Sequence, residues 1–228
     1  LLRELQAAGA AGEFYTPRPV TDFMARAIRP QIGERMADFA CGTGGFLTSW
    51  LKAMPAPKTP AEQAAIGTSV FGIEKKQFPH RLCVTNLLLH DVDSPDVLNA
   101  NALTQKNLLD YDDDDCFDVV LMNPPYGGTE TAAVRSYFPK DLTGSETADL
   151  FVALILYRLK PGGRAAVVLP DGFLFGNDTV KRTLKQRLLD DFNLHTIVRL
   201  PPGVFAPYTS ISTNPLFFDH AGPTREEA

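Results

Sequence analysis

The chain has 228 residues, of which 44% are hydrophobic and 21% charged, enough to build one sizeable core and better matched to one α/β domain than to two. No apolar run reaches a membrane span and no signal peptide is visible, which reads as a cytoplasmic domain, and a net charge of −5 without a basic run argues against a protein that grips duplex DNA unaided. Three cysteines, Cys41, Cys83 and Cys116, lack metal-ligand spacing and read as reduced thiols, while four histidines, His80, His90, His195 and His220, have no spaced partner for a metal or a proton relay.

In chain order, the segment Gly12-Glu13-Phe14-Tyr15-Thr16-Pro17-Arg18-Pro19 leads into a helix over Val20 to Ile28, its prolines suited to a helix start. Met36 opens a short strand. It is followed by the glycine-rich turn Cys41-Gly42-Thr43-Gly44-Gly45 and a helix through Trp50 and Leu51, a device that lets a ligand approach bare backbone. The dinucleotide fingerprint fits Gly42 and Gly44, but its third glycine would fall at Leu47, so a nicotinamide cofactor is disfavoured. Pro55, Pro57 and Pro60 mark an inserted loop. Ser69 to Ile73 is a second buried strand ending at Glu74, a carboxylate able to take both ribose hydroxyls of an adenosine. The inserted loop accounts for its lying beyond the usual distance of about 20 residues.

A helix from Gln77 to His90 follows, then a third strand around Val97 to Leu103. Asp112 to Asp115 reads as a solvated acidic turn. Phe117 to Met122 is a buried strand that ends in Asn123-Pro124-Pro125-Tyr126. The polar stretch from Gly127 to Thr147 is long for a compact domain and leaves directly from this tetrapeptide, so it is expected to order over whatever binds there, with Tyr137 and Phe138 as stacking residues. Next come a helix near Ala148 to Leu159, a turn at Pro161-Gly162-Gly163, and a strand at Ala165 to Leu169. A helix capped by Asn177, Asp178 or Thr179 runs to Leu189, and strands near Leu194 to Leu200 and Leu216 to Asp219 close the sheet. The alternation implies a mostly parallel sheet with helices on both faces.

The tetrapeptide carries the chemistry. At the carboxyl edge of a strand, the Asn123 side-chain oxygen and the Pro124 carbonyl offer two acceptors beside an aromatic ring. That set suits a planar NH2 group. Holding its two hydrogens localises the lone pair on nitrogen, neither acceptor has to titrate, and Pro124 and Pro125 keep the backbone preorganised. Tyr126 is expected to stack on the ring being modified.

Together these residues resemble the S-adenosyl-L-methionine-dependent amino-methyltransferases. The later segments Glu146-Thr147-Ala148-Asp149-Leu150, Leu159-Lys160-Pro161-Gly162-Gly163-Arg164, Val168-Leu169-Pro170-Asp171-Gly172 and Arg199-Leu200-Pro201-Pro202-Gly203-Val204-Phe205 extend the likeness to the modification subunit of type I restriction-modification systems. The resemblance implies an α/β, Rossmann-like methyltransferase fold with a mostly parallel seven-stranded sheet, and transfer of a methyl group to the N6 amine of a flipped adenine in duplex DNA. It implies catalysis by Asn123, Pro124, Pro125 and Tyr126. It places the cofactor on Glu13, Phe14, Tyr15, Thr16, Pro17, Arg18, Asp38, Cys41, Gly42, Thr43, Gly44, Gly45, Glu74, Asn101 and Leu103.

The implied partners are duplex DNA, a specificity subunit, a restriction subunit and a second modification subunit, with no membrane and no metal. Arg18, Arg135, Lys140, Lys181 and Arg182 could touch phosphates, with a solvated-surface role the expectation for any one of them. Residues 1–228 are expected to form one catalytic domain of a longer chain whose flanking helical regions are absent. Two departures stand out: Phe39-Ala40 follows Asp38 where the family has proline, and Asn101 stands where it has an acidic residue near the adenine. Rival readings are a protein-glutamine or ribosomal-RNA amino-methyltransferase, or a non-catalytic assembly subunit.

Overall fold

The computed structural model describes residues 15–144 and 146–224. Its seven strands are β1 (Met36–Asp38), β2 (Val70–Ile73), β3 (Asp96–Leu98), β4 (Phe117–Met122), β5 (Leu159–Pro170), β6 (Asn193–Ile197) and β7 (Thr213–Asp219). They form one sheet in the order β3-β2-β1-β4-β5-β7-β6. Every pairing from β3 to β5 is parallel, and β7 runs antiparallel to both β5 and β6. This is the mostly parallel seven-stranded sheet that the alternation of elements implies.

The central strands are apolar without alternation because both their faces are covered. Along β4, Val120 and Met122 point into one hydrophobic cluster and Val119 and Leu121 into the other; on β5, Ala165, Val167 and Leu169 are split from Ala166 and Val168 in the same way. One face carries α1 (Arg18–Ala27) and α2 (Gly45–Ala53), packed through Met24, Leu47 and Trp50. The other carries α6 (Thr147–Arg158), in which every residue except Tyr157 is buried. Each large apolar side chain taken out of water there contributes about 1.5–3 kcal/mol.

Several boundaries differ from the sequence reading, each for a local reason. Helix α1 starts at Arg18 rather than Val20, because Pro19 fits the first turn. The inserted loop holds a helix of its own, α3 (Pro60–Gly67), begun by Pro60 and capped by Thr59, whose hydroxyl accepts from the Glu62 amide at 3.1 Å. Helix α4 (Gln77–Leu88) then leads to β3, which ends at Leu98 instead of reaching Leu103.

The expected turn at Pro161-Gly162-Gly163 lies inside β5. The register with β4 shifts there from Phe117↔Leu159 to Val119↔Arg164, and His220 bonds both glycines, accepting from Gly162 and donating to Gly163, each at 2.8 Å. Strand β6 stops at Ile197, short of Leu200, while β7 starts earlier than Leu216. The remaining helices are α5 (Ala132–Arg135), α7 (Asp171–Phe175) and α8 (Thr179–Asp190); of three candidate caps for α8, Asp178 serves, accepting from the Lys181 amide at 3.0 Å.

β1 sits between β2 and β4, so the chain reverses its direction of travel across the sheet at β1. A crevice opens at such a switch point beyond the carboxyl ends of the two diverging strands. The glycine turn leaves β1 and Asn123 leaves β4 at that edge. No helix among the described residues is long and apolar enough to cross a membrane.

Candidate active site

The turn after β1 is held from below and from the side. Cys41 donates its amide to the Ile73 carbonyl at 3.0 Å, and Gly44 closes the turn onto the Cys41 carbonyl at 2.8 Å. Gly44 caps α2 at φ +83°, and a Cβ there would lie 2.9 Å from the Cys83 sulfur, so both conformation and space call for glycine. A Cβ on Gly42, by contrast, would meet nothing within 4 Å among the described residues, which leaves the outer face of the turn open on their side. The Asn86 side chain fixes the turn from α4 by donating to the Thr43 carbonyl at 3.0 Å.

Two acidic side chains flank this turn. Glu74, at the end of β2, accepts from the Gly42 amide at 2.9 Å and from the Lys76 amide at 2.7 Å, one oxygen to each. Asp38 is 2% exposed. Burial pushes its carboxyl up to about 8, the Ala40 amide opposes the shift from 3.1 Å, and the charge of Glu74 adds to it. Cys41 turns its sulfur inward, 3.8 Å from that of Cys83, and the bond with that thiol, together with burial, pushes its own thiol pKa up. Its contribution to the turn is therefore its backbone.

Asn123 follows the last residue of β4. Its amide nitrogen donates to the Thr16 hydroxyl at 3.1 Å, while its carbonyl oxygen is buried with no hydrogen-bond partner among the described residues. A buried acceptor in that condition costs roughly 1–3 kcal/mol, and a donor arriving from outside recovers it. Among the described residues no hydrogen bond occupies the Pro124 carbonyl either. Tyr126 is 3% exposed, and burial pushes its phenol up to about 12.

The other expected contacts are distributed unevenly. Tyr15 is exposed, and Thr16 and Pro17 lead into α1, where Arg18 donates to the Gly45 carbonyl at 3.3 Å and to the Thr48 hydroxyl. Glu13 and Phe14 lie outside the described residues. Asn101 is in the loop after β3 rather than on the strand, and its side-chain oxygen accepts from the Leu103 amide at 3.2 Å. Leu103 itself is buried in the core. Around the switch point the structure thus gathers the glycine turn, Asp38, Glu74, Thr16 and Asn123.

The stretch from 127 to 147 departs from expectation. Phe138 is only 8% exposed and belongs to the main core, Tyr137 packs against that core, and the Tyr137 carbonyl accepts from Leu108 at 2.8 Å. These rings anchor the stretch instead of facing a base. An isolated bridge between Thr129 and Glu146 closes its base, and the Thr147 amide donates to the Gly128 carbonyl at 3.1 Å.

Lys181, proposed from sequence as a surface cation, is 3% exposed. Its ammonium meets Glu146 at 2.8 Å, Asp149 at 2.9 Å and Asp178 at 3.1 Å. Burial alone would lower its pKa, but the three carboxylates outweigh that and raise it. Only the Asp178/Lys181 spacing signals this cluster in the sequence. Arg18 is likewise committed, and the Arg135 Nε is buried, whereas Lys140 and Arg182 remain exposed. Among the described residues no group of three or more His, Cys, Asp or Glu is placed to hold a metal ion.

Residues 1–228 match the family model described as N-6 DNA Methylase. The chain is 49% identical over 228 residues to the methylase subunit of the type I restriction enzyme EcoEI from Escherichia coli, covering 99% of this chain and 46% of that protein. Among solved structures, a chain from a study of assembly and conformational transition in a type I restriction-modification system is 42% identical with a TM-score of 0.87, covering 94% of this chain and 44% of that one. The M protein of the type I restriction enzyme EcoKI superposes with a TM-score of 0.80 at 28% identity, over 96% of this chain and 47% of that chain. The chain therefore spans about half the length of the curated relatives it matches.

Proposed function

The chain belongs to the N-6 DNA methylase family, and on that premise we propose that it transfers a methyl group from S-adenosyl-L-methionine to the N6 amine of adenine in duplex DNA, as the catalytic domain of a type I modification subunit. The observation that carries this reading is the buried carbonyl oxygen of Asn123, unpartnered among the described residues, at the switch point of the sheet.

S-Adenosyl-L-methionine supplies an electrophilic methyl group on a sulfonium. The residues present suit such a group: the open face at Gly42 admits a ligand to the backbone, and Glu74, at the end of β2 and bonded to the Gly42 amide, sets a carboxylate beside the turn where ribose hydroxyls would lie. The segment from Tyr15 to Arg18 lies beside Asn123 through Thr16 and beside the start of α2 through Arg18, where it would face the methionine end. Asn101, in the loop after β3, would stand on the adenine side.

An adenine unstacked from the duplex, at a cost of a few kcal/mol, presents its amine to Asn123 and the Pro124 carbonyl. One N–H meets the Asn123 oxygen and the other the Pro124 oxygen, which draws the nitrogen lone pair out of conjugation with the ring and toward the methyl group. With the cofactor held there, its methyl group would pass from sulfur to the amine nitrogen, S-adenosylhomocysteine would be the leaving group, and the proton released from nitrogen would go to solvent. Tyr126 lines the base site. No group has to change protonation state to start the transfer.

A net charge of −5 leaves little for sequence-independent DNA binding. Recognition is therefore assigned to a specificity subunit, in a complex with a second modification subunit and a restriction subunit in the cytoplasm. The test is transfer of tritium from labelled cofactor to DNA of a host lacking the modification, with and without the specificity subunit, followed by identification of the labelled base. Label in N6-methyladenine only when the specificity subunit is present supports the reading. Label in protein or RNA under matched conditions overturns it.

A further inference from the structure

The geometry points to Thr16 as the positioning residue of Asn123, a role that rests on the amino-methyl transfer proposed above and goes beyond contact with the cofactor. An asparagine at a strand end has a soft terminal torsion, and rotating its amide exchanges an acceptor for a donor. Only the acceptor helps an incoming amine. A donor turned toward it would face N–H with N–H.

In this structure the amide nitrogen is engaged by the Thr16 hydroxyl at 3.1 Å, and the carbonyl oxygen is the end left buried and unpartnered among the described residues. The bond spans 107 residues of sequence and is the one hydrogen bond of the Asn123 side chain among the described residues. Thr16 thus fixes the plane of the amide, with the acceptor end turned to the substrate nitrogen.

Thr16 is itself held firmly. It precedes Pro17, the residue that caps α1, at φ −57°. Helix α1 is keyed to α2 by three polar contacts: Ser49 Oγ lies 2.8 Å from Thr21 Oγ1 and 2.6 Å from Asp22 Oδ1, and Arg18 reaches the Gly45 carbonyl. Because α2 begins at the glycine turn, the same scaffold that positions the turn positions the hydroxyl. Cofactor side and base side are referred to one rigid frame, which a transfer between them requires.

The experiment uses the full chain reconstituted with its specificity subunit. Turnover is measured at saturating S-adenosyl-L-methionine, cofactor affinity by calorimetry and folding by thermal melting, for Thr16→Val, Thr16→Ala, Thr16→Ser and Asn123→Ala. Loss of the hydroxyl in Thr16→Val and Thr16→Ala lowers kcat by about 10- to 100-fold, the scale of a misplaced catalytic group. This loss persists at saturating cofactor, whatever change in cofactor Kd accompanies it, because a kcat loss at saturation reflects positioning and not ground-state binding. Thr16→Ser recovers most of the turnover.

Two results overturn the role of Thr16 while leaving the transfer reading intact. One is an unchanged kcat in Thr16→Val alongside an inactive Asn123→Ala. The other is a defect confined to cofactor Kd and abolished at saturation. Full turnover in Asn123→Ala removes the underlying reading and this role with it.

Discussion

The Glu74 carboxylate accepts the Gly42 amide at 2.9 Å, tying the end of β2 to the turn at the end of β1. Its second oxygen takes the Lys76 amide at 2.7 Å, so one side chain satisfies two backbone donors on opposite sides. Glutamine has one acceptor and one donor end, and whichever way it turns it sets N–H against N–H. Charge-assisted bonds of this type are worth about 1.5–3 kcal/mol. Glu74→Gln is therefore expected to weaken S-adenosyl-L-methionine binding roughly 10- to 100-fold by calorimetry, with the fold retained. Unchanged affinity would show that the turn holds its shape without this anchor.

Asp38 provides a pH signature. Its carboxyl is pushed up from 3.8 to about 8, so between those values the folded protein keeps a proton that the unfolded chain releases. Stability from this position is accordingly greatest at low pH, falls as pH rises from about 4 to about 8, and levels off above that. Asp38→Asn has no proton to lose. The difference in unfolding free energy between wild type and Asp38→Asn, followed by urea denaturation, should decline across that interval by up to about 1.4 kcal/mol per pH unit. A difference that is flat with pH would contradict a neutral Asp38.

Gly44→Ala combines two penalties. The φ of +83° is strained for alanine, at about 1–3 kcal/mol, and the added carbon would lie 2.9 Å from the Cys83 sulfur. Replacing Cys83 by alanine removes the second penalty only. A double-mutant cycle read by chemical denaturation should show Gly44→Ala costing less in the Cys83→Ala background, though still destabilising. Equal cost in both backgrounds would mean that the sulfur gives way freely.

Lys181→Met would strand Asp149, whose side chain is 2% exposed, without its cation. Breaking a buried pair in this manner costs about 3–5 kcal/mol. Adding Asp149→Leu should restore a large part of the loss in denaturation experiments, since the penalty is an uncompensated buried charge. If the double variant is no more stable than Lys181→Met, packing rather than charge explains the defect.

The sequence exposed the elements that depend on short-range pattern. Continuous apolar runs marked β2, β4 and β5; the glycine turn and Asn123 were visible because turn chemistry and strand ends are local. What escaped depends on distance along the chain. The Asn123–Thr16 bond joins residues 107 apart, and Lys181 draws Glu146 and Asp149 from another helix and its approach. Phe138 read as an aromatic in a polar stretch, and only its packing into the core shows that it anchors the stretch. Residues 161–163 read as a turn because proline and glycine usually break a strand, whereas the pairing of Leu159 and Arg164 with β4 and the His220 bonds to Gly162 and Gly163 carry β5 through them.

The most direct test of the account is the N6-methyladenine content of DNA treated with the reconstituted complex, measured by mass spectrometry for wild type and Asn123→Ala. Wild type should methylate adenine at N6, and removing the preorganised acceptor should lower the rate by about 100-fold or more with S-adenosyl-L-methionine affinity retained. N6-methyladenine formed at the wild-type rate by Asn123→Ala would contradict it.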